Sequence, residues 1–205
     1  MGRPKKYRNN WPSATELASF AYPFDKYYWA KYLFEKNKSA KRFNPFEECE
    51  QITAKAREIG HVVHDAIEQY TKTKTYPSLP PMEKRIFNEF KKIIDQEQLF
   101  NGLNEITGYS YKHGIGGTFD YLLNSVLYDW KTDSPKTSKK KYELQMAYYA
   151  LIILEELGIN IKKAVIYRVT KENPPQVYRI EIDITSKLKK KALCIRRAFK
   201  EITGR

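Results

Sequence analysis

The chain has 205 residues, with 37 lysines and arginines against 24 aspartates and glutamates, a formal charge of +13 that favours a polyanionic partner such as nucleic acid over an acidic protein. That length can bury a core without staples, and two distant cysteines, Cys49 and Cys194, cannot supply a structural zinc site or a four-cysteine iron–sulfur cluster. No apolar run reaches the length of a membrane span and the N-terminus lacks the apolar core of a secretory signal, so a soluble, cytoplasmic protein is expected.

Residues 1–10 carry basic side chains without an acid or an apolar period, and read as a flexible basic arm ahead of one domain over 11–205. Ser13-Ala-Thr-Glu16 has the capping-box pattern and opens a short helix ending near Phe20 to Phe24. Asp25 caps the next helix, where Tyr28, Trp29, Tyr32 and Leu33 recur at helical spacing and predict aromatics packed inward. Lys26, Lys31 and Lys36 between them keep a substrate-lining role open. A longer helix is expected over 48–72, then the breaker Tyr76-Pro-Ser-Leu-Pro-Pro81 and a helix over 82–96.

From there the pattern changes to strands, over 103–110, 115–123 and 126–132, forming a meander with glycines at its turns. The basic stretch Lys136 to Lys141 follows. A helix over 142–157 stopped by Gly158 and a strand over 164–169 complete a β–α–β crossover, and Leu144, Tyr148, Leu151 and Leu154 supply that helix's core face. A strand over 177–182 and a basic amphipathic helix over 186–202 close the chain. The segments thus divide into 11–100, mainly helical, 101–183, sheet and helix, and 184–205, helical. The order α-β-β-β-α-β predicts an α/β sandwich.

The chemistry concentrates in the hairpin. If Asn124 and Ser125 form a two-residue loop, Leu123 pairs with Val126, and Asp120 falls opposite Asp129. Two carboxylates across a ladder repel unless a cation lies between them, and hard oxygen ligands suit Mg²⁺ or Mn²⁺. Lys131, two residues on, shares the face of Asp129 and can position or deprotonate a water and offset developing charge. Glu105 on the first strand is a further acidic ligand or base, and the Trp130 carbonyl faces the same ion. Gly60, His64 and Glu68 share one stripe of the long helix, where a neutral imidazole suits Mn²⁺ and the glycine admits a phosphate backbone. A surface pair is the plainer account of His64 and Glu68. His61 points to solvent. Gln145 and Tyr149, four apart and ill-suited to a core, can hold a phosphate or the attacking water.

In order along the chain, Gly60-x-x-x-His64-x-x-x-Glu68, Gly117-x-x-Asp120, Asp129-x-Lys131 and Gln145-x-x-x-Tyr149 resemble the RecB-type branch of the PD-(D/E)XK nucleases. Pro12-Ser13-Ala-Thr15-Glu-Leu17 before an aromatic helix is similar to mitochondrial genome maintenance exonucleases and small phage exonucleases. The resemblance implies a restriction-endonuclease-like core and an Mg²⁺- or Mn²⁺-dependent DNA exonuclease, with His64, Asp120 and Asp129 binding metal, Lys131 catalytic, and Gln145 and Tyr149 orienting substrate. Glu68, Ser13, Tyr28 and Lys136 are further expected substrate contacts. It also implies DNA, single-stranded or with free ends, as partner, with replication or recombination proteins beside it, in a bacterial cell or phage-infected host. N-terminal helices of this branch arch over the site, which suits the aromatic segment from Phe20 to Phe34. The four-cysteine cluster of the CRISPR adaptation branch is missing. A structure-specific endonuclease on the same fold and a non-catalytic DNA-binding module are the alternatives.

Overall fold

A computed structural model describes residues 11–36, 44–132 and 138–205. The basic arm over 1–10 and Lys136 lie outside them. Eleven elements follow in the expected order: helices α1 (Ala14–Ala21), α2 (Lys26–Lys36), α3 (Pro45–Thr73) and α4 (Pro81–Glu97), then strands β1 (Leu103–Ser110), β2 (Ile115–Leu123) and β3 (Val126–Lys131), then α5 (Lys139–Leu157), β4 (Lys163–Val169), β5 (Val177–Asp183) and α6 (Ser186–Thr203). The sheet runs β1-β2-β3-β4-β5, antiparallel except for the parallel pair β3 and β4 that the α5 crossover requires.

Local chemistry accounts for the boundaries. The Ser13 hydroxyl accepts from the Glu16 N–H at 3.0 Å and the Glu16 carboxylate receives the Ser13 N–H, closing the capping box. Asp25 Oδ1 accepts from the Tyr28 N–H at 2.8 Å. α3 begins at Pro45, earlier than its apolar period suggests, because Asn44 caps it and a proline at the first position lacks only an N–H the helix could not use. Asn124 and Ser125 both have positive φ, 49° and 61°, so the hairpin closes in a two-residue loop with Leu123 paired to Val126.

Helices cover both faces of the sheet. On one, α3 and α4 bury Val63, Ile67, Phe87 and Phe90 against Tyr121, Trp130 and Tyr167. On the other, α5 packs with α1 and α6 outside it, so both of its sides are covered and Tyr142, Tyr148, Ile152 and Ile153 are all buried. Two expectations fail here. Leu154 is 41% exposed while Gln145 and Tyr149 are buried, since a helix enclosed on both sides has no polar stripe and Leu154 lies beyond the cover. On α2 the expectation fails for the tyrosines: Tyr28 is 72% and Tyr32 53% exposed, whereas Leu33 is buried with Ala30 against Cys49 of α3 and Trp29 packs half-buried on that cluster. Among the described residues α2 packs chiefly on α3, with no second layer of comparable contact over it.

Candidate active site

The β2–β3 ladder is paired at Leu123↔Val126, Leu122↔Leu127 and Tyr121↔Tyr128, and the next two residues in register would be Asp120 and Asp129. There the ladder stops. The Asp120 carboxylate enters the opening and accepts from the Trp130 N–H at 2.8 Å, doing what a strand carbonyl would otherwise do. Its removal from water leaves it 8% exposed.

β1 is broken at the same level. Asn104 pairs with Tyr121 and Ile106 with Phe119, but Glu105 and Asp120 between them are unpaired, and Glu105 has φ +47°. A left-handed residue inside a strand turns the chain over. Asn104 therefore accepts a hydrogen bond from Thr71 of α3, whereas Ile106, two residues on, packs into the α5 core. The turn delivers the Glu105 carboxylate to within 3.4 Å of His64 Nδ1.

His64 reaches the opening from α3. Its Nε2 lies 2.9 Å from the Trp130 carbonyl, an oxygen that can only accept, so Nε2 carries the proton and Nδ1 faces Glu105 and, at 3.7 Å, Asp120. Burial favours the neutral ring, but the Asp120 charge and the Glu105 hydrogen bond outweigh it and push the imidazole up to about 9. The second ring proton thus occupies a place where a cation would relieve the same two carboxylates.

From the α5 side come Asp129 and Lys131, their ion pair 2.5 Å long. Asp129 is fully buried and neither of its oxygens has a well-formed hydrogen bond. Burial draws its carboxyl upward, against the pull of Lys131. Burial would discharge the Lys131 amine, yet Asp129 and Asp120 hold it above its ordinary value and keep it an ammonium. Gln145 donates to the Tyr149 hydroxyl at 2.9 Å and to Thr15 of α1 at 3.2 Å. The Tyr149 phenol is pushed up to about 12, first by burial and then by Asp129. A Cβ on Gly117 would stand 2.8 Å from the Tyr149 ring, so only glycine lets the phenol lie this close to β2.

A divalent cation fits this donor set. One ligand atom each of His64, Glu105 and Asp120 lies within 4.8 Å of the others, and the buried Asp129 oxygens, without a hydrogen bond besides the Lys131 ion pair, keep lone pairs that a cation would take. Asp129 stands outside that three-residue group, bound to Lys131 and still within the electrostatic reach of Asp120, and the donors come to the opened sheet from both faces.

No protein-family model and no curated protein matches the sequence. Shape is more informative. A Eubacterium rectale protein provisionally named an exonuclease superposes with a TM-score of 0.62 at 15% identity, over 98% of this chain and 85% of that one. The two share a fold. An alkaline exonuclease from Laribacter hongkongensis gives 0.48 at 12% identity, over 93% and 86%, and a phage-related exonuclease from Haemophilus somnus 0.37 at 11%, over 69% and 83%. The predicted α/β architecture, a sheet flanked by helices, is thus the observed one.

The remaining expected contacts lie apart from this group. Glu68, one turn beyond His64, is paired with Lys72. Ser13 is engaged in its cap and bridges Gly116, Tyr28 stands in solvent on α2, and Gly60 adjoins Thr132. His61 is exposed as expected. Sequence reading missed two residues. Thr15 holds Gln145, a link across 130 positions that no local pattern encodes. Arg168 of β4 pairs in register with Lys131, is 6% exposed, and keeps a buried Nε without a partner while its guanidinium lies over Tyr178. An arginine interrupting the apolar run from Ala164 to Val169 was the available signal.

Proposed function

We propose that the protein is a metal-dependent deoxyribonuclease of the RecB-type PD-(D/E)XK kind, acting as an exonuclease on single-stranded DNA or DNA with free ends. The observation that carries this is the buried Asp129, ion-paired to Lys131 but short of hydrogen bonds, beside the His64, Glu105 and Asp120 group. Burying a carboxylate whose lone pairs are not all satisfied costs several kcal/mol, and a cation bound beside it would offset that cost. The shared fold with the Eubacterium rectale protein and the charge of +13 support the same reading.

His64, Glu105, Asp120 and Asp129 would hold Mg²⁺ or Mn²⁺, with the Trp130 carbonyl beside them, and the bound ion supplies Lewis acidity and an activated water. Lys131, kept protonated, stabilises charge growing on the phosphoryl oxygens. Tyr149 and Gln145 orient a phosphate from the α5 side, and Arg168 offers its unused N–H to the same or the adjoining phosphate. Replication, recombination or repair in a bacterial or phage setting would use such an activity.

The deciding experiment incubates a circular single strand, and the same strand linearised, with Mg²⁺ or Mn²⁺. Degradation of the linear form with the circle spared, and arrest by EDTA, is expected. A linear strand that survives both ions rejects the reading, and a nicked circle converts it to an endonuclease.

A further inference from the structure

We propose that the basic, aromatic-walled pocket between the β1–β2 turn and α6 is a second binding site for single-stranded nucleic acid, gripping the strand some nucleotides away from the candidate active site. It rests on the nuclease reading only for the purpose of that grip.

The pocket has a volume of about 730 Å³ and is lined by Trp11, Tyr111, Lys112, Arg197, Lys200 and Arg205, among others. Its floor is built by Arg196, whose guanidinium donates to the carbonyls of His113, Gly114 and Arg205 and is spent on structure. A Cβ on Gly114, at φ +62°, would lie 3.1 Å from that guanidinium, so the turn is shaped around it. Arg205 is paired with Glu16 at 3.0 Å. Lys112, Arg197 and Lys200 make no ion pair among the described residues. The nearby acid, Glu155, is committed to the Ser110 hydroxyl and the Tyr111 and Lys112 N–H groups. Lys112, Arg197 and Lys200 therefore crowd the concavity without an ion-pair partner among the described residues, and burial together with Lys112 and Arg197, against the opposing pull of Glu155, holds the His113 imidazole below its ordinary value.

Charge alone would suit any polyanion. The walls narrow the choice: Trp11 and Tyr111 meet edge to face at 5.2 Å, and Tyr111 is 52% exposed, leaving ring surface on which an unpaired base can stack beside cations that take its phosphates. The pocket also adjoins the site. Gly114 lines it and leads into β2, Ser13, two residues after Trp11, bridges Gly116, and Gly117 touches Tyr149. Six residues of extended chain separate Gly114 from Asp120, about 20 Å, which a short single strand can span.

The test measures binding of a fluorescein-labelled oligothymidylate of about 25 nucleotides by anisotropy in EDTA, across a salt series, to the full-length protein. The Arg197→Ala/Lys200→Ala variant should bind about tenfold more weakly, with the slope of log K against log salt reduced in magnitude by about 1.4, the value for two lost phosphate contacts on a single strand. Trp11→Ala should weaken binding about tenfold and leave that slope unchanged. Lys84→Ala/Lys92→Ala, the same charge change on α4 across the sheet, should have little effect. An unaltered slope in the Arg197/Lys200 variant, an equal loss in the α4 control, or displacement of the probe by polyglutamate as readily as by unlabelled oligothymidylate would overturn the proposal. Cleavage is not needed for any of these readings, so a protein that binds strands and cuts none would sink the nuclease assignment alone.

Discussion

α2 and α5 are both tyrosine-rich helices with three lysines each, and they have opposite fates. Tyr27, Tyr28 and Tyr32 of α2 are 78%, 72% and 53% exposed, whereas Tyr142, Tyr148 and Tyr149 of α5 are buried. Spacing along each helix does not separate them. The difference lies in what surrounds them: α5 has the sheet on one side and α1 and α6 on the other, and α2 has α3. An aromatic residue lacking a second layer is a surface for something else, and for a cationic protein an unpaired base is a suitable guest.

The contrast can be broken in four places, in descending order of effect. Lys131→Ala removes the ammonium that faces Tyr149 of α5 and should lower the cleavage rate by at least about 10³-fold with DNA affinity nearly intact, as single-turnover kinetics beside anisotropy would show. Tyr148→Ala should cost about 3–5 kcal/mol in denaturant unfolding, because a fully buried ring is lost and the Ala192 carbonyl loses the hydroxyl 2.8 Å away. Tyr28→Ala should change stability by less than about 0.5 kcal/mol yet cost about 1–3 kcal/mol of affinity for single-stranded DNA. Equal destabilisation by the two tyrosine changes would show that α2 is part of the core after all. The smallest effect is at the exposed end of α5, where burial raises the Glu155 carboxyl but the Ser110 hydroxyl and the Lys112 and Tyr111 N–H groups outweigh it and hold it below 4.5. A depressed carboxyl stabilises the fold above its unfolded value and loses that share as pH falls through the folded one. Melting temperatures of the native protein and Glu155→Gln should therefore differ near neutrality and converge as the pH falls through the depressed carboxyl.

Much of the fold could be read in advance because its boundaries are set locally. The Ser13 cap, the Asn124-Ser125 loop and the Gly158 stop each depend on residues a few positions apart. The hairpin register followed from that loop. The site was legible as a set of residues, with His64, Glu105, Asp120, Asp129, Lys131, Gln145 and Tyr149 converging on the opened end of the ladder, but its arrangement was not. A period of two places Asp120 and Asp129 on one face, and nothing in the letters says that the ladder parts between them. Glutamate has no preference for positive φ, so the turn at Glu105 left no mark. The Thr15–Gln145 and Lys131–Arg168 neighbours are tertiary and need the assembled sheet.

The inverted backbone at Glu105 sets a relaxed strand against the placement of a carboxylate beside His64, within one residue. An L-residue held in that region costs on the order of 1 kcal/mol that glycine would not. A sequence drifting toward stability alone would exchange this glutamate for glycine, gaining a more relaxed strand and surrendering a charge beside His64. That the strained residue is also an anionic one is what the proposed metal site would ask of β1.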